Sequence, residues 1–111
     1  MTAMDGHRSR ILLVEDDPAL AGRMARLLRA ADYEVDGPHA CASDGLAALA
    51  RHFPDGAVVD LHGGPEAADL LREDLAAYDV PFLDGEGDAL GSSRPDRIEG
   101  RLQSWLRHVR H

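Results

Sequence analysis

The sequence predicts a doubly wound α/β sandwich, a parallel sheet with helices on both faces. Two observations carry that expectation. Short apolar runs, Ile11-Leu12-Leu13-Val14 and Ala57-Val58-Val59, read as buried strands, and each ends in acid. Segments with apolar residues at helical spacing alternate with them: strand-helix three times, then a strand, a loop and a helix. A chain of 111 residues suits one domain and not two. The expected organisation is a polar tail over residues 1–9 and one domain over residues 10–111.

Arg10 to Val14 is the first strand, apolar on both faces as a central parallel strand requires. Asp16 and Asp17 precede Pro18, a residue favoured in the first turn of a helix. From Pro18 to Ala31, Leu20, Met24, Leu27, Leu28 and Ala31 define one helical face. Arg23, Arg26 and Arg29 fall outside it, and Asp32 ends the helix. Tyr33-Glu34-Val35-Asp36 alternates and stops at Gly37-Pro38, a short strand near a sheet edge.

The second helix begins at Ala42 or Ser43 and runs to about His52. Leu46, Ala47, Leu49 and Ala50 are its expected inner face. Phe53-Pro54-Asp55-Gly56 is a turn into the Asp60 strand. After Gly63-Gly64-Pro65, residues Glu66 to Ala77 read as a third helix facing inward with Ala67, Leu70, Leu71 and Leu75. Val80 to Leu83 is a minimal fourth strand. Asp84 to Pro95 is rich in Gly, Ser and acid and reads as loop. Asp96 then caps a last helix carrying Ile98, Leu102, Trp105, Leu106 and Val109.

Composition removes several function classes. The chain is 44% hydrophobic and 29% charged, a globular balance. Its net charge of −8 argues against nucleic acid and acidic membranes as partners, the Arg-rich last helix being the one local exception. No apolar run approaches the roughly 20 residues of a membrane span, and residues 1–10 lack the apolar core of a secretory signal. The single cysteine, Cys41, has no internal disulfide partner. The expectation is a cytoplasmic protein. Lysine is absent altogether: all twelve basic residues are Arg, and Thr2 is the only threonine.

The chemistry gathers where the strands end. Glu15, Asp16 and Asp17 follow the first strand and Asp60 ends the third. Open α/β sheets place ligands at the carboxyl ends of their strands. If the two strands are parallel neighbours, these carboxylates meet, and the cluster is costly unless a cation enters or a proton is shared. Mg²⁺ suits such oxygens. Asp16 and Asp60 would bind it directly, Glu15 through water, and the His62 backbone carbonyl would add a further oxygen. A carboxylate beside Mg²⁺ can accept a phosphoryl group.

The stretch Ile11-Leu12-Leu13-Val14-Glu15-Asp16-Asp17-Pro18-Ala19-Leu20 resembles the opening of a response-regulator receiver domain. Asp60 stands 44 positions after Asp16, a spacing similar to the family's distance from acidic pair to phosphoacceptor. Val80-Pro81-Phe82, followed by Gly85-Glu86-Gly87-Asp88-Ala89-Leu90, resembles the single-domain receivers with a Pro-Phe-x-Phe-Ala-Thr-Gly-Tyr-Gly pattern. The resemblance covers about Arg10 to Arg110 and is stronger in the first half.

The resemblance implies a CheY-like, flavodoxin-type sheet with the fourth helix and fifth strand shortened or missing. It implies Asp60 as phosphoacceptor, and Glu15, Asp16, Asp60 and the His62 carbonyl around Mg²⁺. The expected function is that of a stand-alone receiver in a two-component phosphorelay. It would take phosphoryl from a histidine kinase or phosphotransfer protein and act by protein contacts rather than as an enzyme.

Departures from the family set the alternative. The place of its Thr or Ser after the fourth strand falls near Asp84 or Glu86, where a carboxylate would repel phosphoryl and raise the cluster's pKa values; Ser92 and Ser93 are distant substitutes. The family's Lys has only Arg94 as counterpart, 34 positions after Asp60 and a non-conservative replacement. A pseudo-receiver that docks a kinase or regulator without phosphorylation is therefore the second reading. An order–disorder change in 84–95 would replace the family's usual switch. Self-association through Trp105 and Leu106 is weighed against a monomer. A Mg²⁺-dependent phosphatase is a third class, but it needs an acid/base and a pocket not legible here.

Overall fold

Strand and helix alternate from end to end: β1 (Arg10–Glu15), α1 (Pro18–Ala30), β2 (Glu34–His39), α2 (Ala42–Arg51), β3 (Gly56–Asp60), α3 (Pro65–Ala77), β4 (Phe82–Asp84) and α4 (Pro95–Val109). The computed structural model describes residues 9–62, 65–84 and 95–109. Gly63, Gly64, Glu86, Ser92, Ser93 and Arg94, and the 84–95 switch beyond Asp84, lie outside the described residues.

The sheet is wholly parallel, in the order β2-β1-β3-β4. Central β1 and β3 are the two apolar runs, buried along their length as their composition requires. One face packs Ile11, Leu13 and Val58 against Leu20, Met24 and Leu28 of α1 and Leu102 and Leu106 of α4. The other packs Leu12, Val14, Ala57 and Val59 against Ala48 and Leu49 of α2 and Leu71 and Leu75 of α3. This is the doubly wound arrangement. Its strand order turns back between β1 and β3, and that switch point is where such sheets open a crevice.

Asp17 caps α1, its Oδ1 accepting from the Ala19 and Leu20 N–H groups at 3.1 and 3.3 Å. The helix ends at Asp32 as the sequence suggested. Asp32 takes φ 71°, Tyr33 N–H reaches Leu28 C=O at 3.0 Å and Asp32 N–H reaches Arg29 C=O at 2.9 Å. This is a Schellman ending. The same bonds close α3: Asp79 takes φ 58°, Val80 N–H meets Leu75 C=O at 2.9 Å and Asp79 N–H meets Ala76 C=O at 3.1 Å.

Several expectations are corrected in detail. The second strand does not stop at Gly37-Pro38; it runs through to His39, with a register shift opposite Leu12 to Val14. An edge strand with a bulge tolerates the proline. Gly37 is required there, since it takes φ 128° and a Cβ would lie 2.6 Å from the Leu13 carbonyl oxygen.

Helix α2 is turned from its expected face: Gly45, Ala48 and Leu49 are buried, whereas Ala47 and Ala50 are exposed. In α3, Ala68, Leu71 and Leu75 face inward and Leu70 is exposed; the Ala67 side chain is outside the described residues. The fourth strand starts two residues late, because Val80 is tied back to α3. Helix α4 begins at Pro95, so Asp96 lies in its first turn rather than capping it. Leu106 is buried and Trp105 packs half-buried on the core, so neither forms an exposed surface patch. Among the described residues the large exposed apolar side chains are Phe53, Leu70 and Tyr78. No helix among them is long and apolar enough to cross a membrane.

Candidate functional site

The parallel register of β1 and β3 sets Glu15 directly opposite Asp60. Both are 1% exposed, the only acids in the buried core among the described residues. Glu15 Oε2 accepts from the Asp17 N–H at 3.0 Å. Glu15 Oε1 and Asp60 Oδ2 are buried, and among the described residues no donor reaches either. A buried unsatisfied polar atom costs about 1–3 kcal/mol, more when charged.

Asp16, one residue past β1, faces outward to the third element of the site. His62 N–H donates to Asp16 Oδ2 at 2.8 Å, and His62 Nδ1 meets Asp16 Oδ1 at 2.9 Å. The other ring nitrogen, Nε2, lies 3.3 Å from Asp60 Oδ1. The imidazole thus spans the gap between the two acids. It is also the site's open side, with 42% of its side chain exposed.

This geometry perturbs both titrating partners. The Glu15 carboxyl is pushed up to about 9, first by burial and then by the hydrogen bond and charge of Asp60 and the charge of Asp16; the Asp17 N–H works the other way. His62 is raised above its ordinary value, chiefly by the Asp16 hydrogen bond and further by the charges of Asp60, Asp16 and Asp17, against partial desolvation. A proton held between Glu15 and Asp60 relieves two buried carboxylates in the way a cation would.

The residues suit a divalent cation. Ligand atoms of Glu15, Asp16 and His62 lie within 4.8 Å of one another. The two inner oxygens supply what a metal needs: carboxylate donors that meet no N–H among the described residues, where a cation would displace the shared proton. The sequence reading brought Glu15, Asp16 and Asp60 to one place, and the structure does so too. It adds the His62 ring as a bridge between Asp16 and Asp60.

Asp84 is not part of the cluster's electrostatics. Its carboxylate meets Arg72 of α3 twice, Oδ2 with Nε at 2.8 Å and Oδ1 with Nη2 at 3.2 Å. Its backbone oxygen accepts from Arg101 Nη2 of α4 at 2.8 Å. For Asp84, the expectation that a carboxylate here raises the cluster's pKa values is corrected: burial, Asp60 and Asp16 lift Glu15. Arg72 went unnoticed in sequence, where its one local signal is Asp69, three residues earlier and 2.9 Å away.

The fold and the acids at its switch point define a doubly wound α/β protein with an acidic cluster where two central strands end. No protein-family model and no curated protein matches the chain. Solved structures do. SdrG from Pseudomonas melonis Fr1, in its BeF3-activated conformation, is 30% identical, with 86% of this chain and 80% of that one covered and a TM-score of 0.59. The PhyR stress response regulator is 26% identical over 72% of this chain, with a TM-score of 0.63. The chain spans 32% of that protein's length, about a third. A chain from Chloroflexus aurantiacus J-10-fl, 22% identical and covered to 98% by 90% of this one, shares the fold with a TM-score of 0.65. This chain belongs to the response-regulator receiver family.

Proposed function

We propose that the chain is a phosphoacceptor receiver. Asp60 takes a phosphoryl group from a histidine kinase or phosphotransfer protein in the cytoplasm, and the modified domain signals through protein contacts. The observation that carries this reading is the pairing of Glu15 with Asp60 at the switch point, each with a buried oxygen that no donor among the described residues reaches.

Glu15, Asp16 and Asp60 would hold Mg²⁺, with the His62 carbonyl as a further oxygen; when bound, the ion offsets charge on the transferring oxygens. In the transfer, an Asp60 oxygen attacks phosphorus. A new O–P bond forms as the donor's P–N bond breaks, and the electron pair leaves with the donor imidazole, which takes a proton from solvent. The His62 ring lies over Asp60 and must swing outward to admit the donor. Its exposure leaves it room to do so. Arg94 is the sequence's candidate for the family's lysine.

Incubation with acetyl phosphate and Mg²⁺ tests the reading by intact mass. The expected result is the gain of one phosphoryl group, absent in Asp60→Asn. No gain in the wild type, or a gain that survives Asp60→Asn, overturns it.

Two observations favour a second reading, a pseudo-receiver that docks a kinase or regulator without phosphorylation. Asp84, in the approximate place of the family's hydroxyl, is an acid held by Arg72, and the chain has no lysine. Partner binding that is equal with and without phosphoryl donor, and intact in Asp60→Asn, identifies this case.

A further inference from the structure

We propose that His62 is a metal ligand through its imidazole, so that the site takes a nitrogen-accepting divalent ion such as Co²⁺ or Mn²⁺ in preference to Mg²⁺. This rests on the reading of the acidic crevice as a cation site and specifies which cation it holds.

Three observations point to it. First, the ring is oriented as metal-bound histidines are. Such a histidine characteristically gives its other ring N–H to a carboxylate, which fixes the tautomer and the ring plane. Here Nδ1 meets Asp16 Oδ1 at 2.9 Å, and the same Asp16 is pinned by the His62 backbone N–H at 2.8 Å.

Second, Nε2 is left facing the buried acids, 3.3 Å from Asp60 Oδ1. That separation is long for a charge-assisted hydrogen bond. It is the spacing of neighbouring donors on one ion: two bonds of about 2.1 Å at near-octahedral or tetrahedral angles put their donors roughly 3.0–3.4 Å apart.

Third, Glu15 Oε1 is buried, unpartnered and part of the same cluster, whose ligand atoms with Asp16 and His62 lie within 4.8 Å of one another. Glu15 and Asp16 from the end of β1 and His62 from the open side therefore gather at one position, with Asp60 Oδ1 3.3 Å from the imidazole Nε2. Mg²⁺ takes oxygen and gains little from imidazole. Co²⁺ and Mn²⁺ accept both, and affinity for a mixed nitrogen and oxygen site rises from Mn²⁺ to Co²⁺.

The test is calorimetric titration of the full chain with Mg²⁺, Mn²⁺ and Co²⁺, in the wild type and in His62→Gln. The variant removes a half-exposed ring, and circular dichroism checks its fold. The expected result is that wild type binds Co²⁺ at least about tenfold more tightly than Mg²⁺. His62→Gln should lose at least about tenfold toward Co²⁺, since even partners outside the ligand shell cost that much, and leave Mg²⁺ affinity nearly unchanged. The five other histidines are common to both proteins, so the difference isolates His62. Pulsed electron paramagnetic resonance of the Mn²⁺-loaded wild type needs no variant and should show coupling to an imidazole nitrogen.

Mg²⁺ binding with no Co²⁺ preference, no Co²⁺ loss in His62→Gln, or no nitrogen coupling overturns the imidazole ligand and leaves the cation site standing. Failure of every ion to bind the wild type overturns both.

Discussion

Glu15 and Asp60 face each other across neighbouring parallel strands, both 1% exposed, and among the described residues no basic side chain meets either inner oxygen. Packing requires the backbone here, since β1 and β3 are the apolar core of the sheet. Packing does not require the two acids. A buried unpaired carboxylate is costly, so the site spends stability on a charge arrangement that a cation or a proton completes.

That arrangement sets a pH dependence. The Glu15 carboxyl sits at about 9 in the folded chain against 4.5 ordinarily. Between those values the unfolded chain releases the proton and the folded chain keeps it, so stability falls as pH rises. His62, raised by Asp16, contributes stability below its ordinary 6.5 and loses it as pH climbs through its folded value. Both act in the same direction. In the absence of divalent ions, urea unfolding is expected to give a higher stability at pH 5.5 than at pH 8.5, by a few kcal/mol. Glu15→Gln should flatten most of that slope and raise stability at pH 8.5 by about 1–3 kcal/mol. Equal stability at the two pH values in the wild type would count against the buried proton.

Arg72 and Asp84 make the second prediction. One hydrogen bond at 3.2 Å and an ion-pair contact at 2.8 Å join α3 to the end of β4, and Arg72 is only 14% exposed. Arg72→Ala should destabilise the fold by about 1.5–3 kcal/mol, the range for hydrogen bonds to charged groups. Combining it with Asp84→Ala should cost less than the two losses together, with a coupling of about 1 kcal/mol. Additive losses in denaturant titrations would show that the pair is not a unit.

The sequence made the strands and the acids legible for a physical reason. A buried parallel strand must be apolar on both sides, so Ile11 to Val14 and Ala57 to Val59 stand out, and their final residues mark the crevice. The bridging contact of the His62 ring was not legible. Its position two residues past Asp60 locates its backbone, but its side-chain direction depends on Asp16, 46 residues away. Arg72 was hidden in the same way, its partner Asp84 arriving only when β4 joins the sheet. Alanine-rich helices were ambiguous for a different reason. Ala47, Ala48 and Ala50 have nearly equal claims to a core, and the contact that decides among them is a glycine.

Asp79 offers a test of backbone strain. It holds φ 58° after α3, a left-handed conformation that disfavours a side chain. It is exposed and its side chain is not needed for the two bonds that close the helix. Asp79→Gly should stabilise the domain by about 0.5–1 kcal/mol, the relief of strain exceeding the added freedom of the unfolded chain. Asp79→Ala should not stabilise, because its Cβ keeps the clash. Thermal melts of the two variants distinguish them.

Gly45 provides the sharpest contrast between local and tertiary preference. Glycine inside a helix costs about 1 kcal/mol relative to alanine, so propensity alone predicts that Gly45→Ala stabilises. In the fold, α2 lies against the sheet at this residue, and a Cβ would approach Val14 Cγ2 to 2.8 Å and Leu71 Cδ2 to 3.2 Å. Val14 is branched and fully buried, so it has little room to turn aside. Overpacking of this kind costs about 1–3 kcal/mol and outweighs the helical gain. Gly45→Ala is expected to lower stability, and Gly45→Ala with Val14→Ala to recover part of the loss by opening space where the methyl lands. A stabilised single variant in urea titration would mean that α2 stands farther from β1 than the packing of Gly45 on Val14 requires.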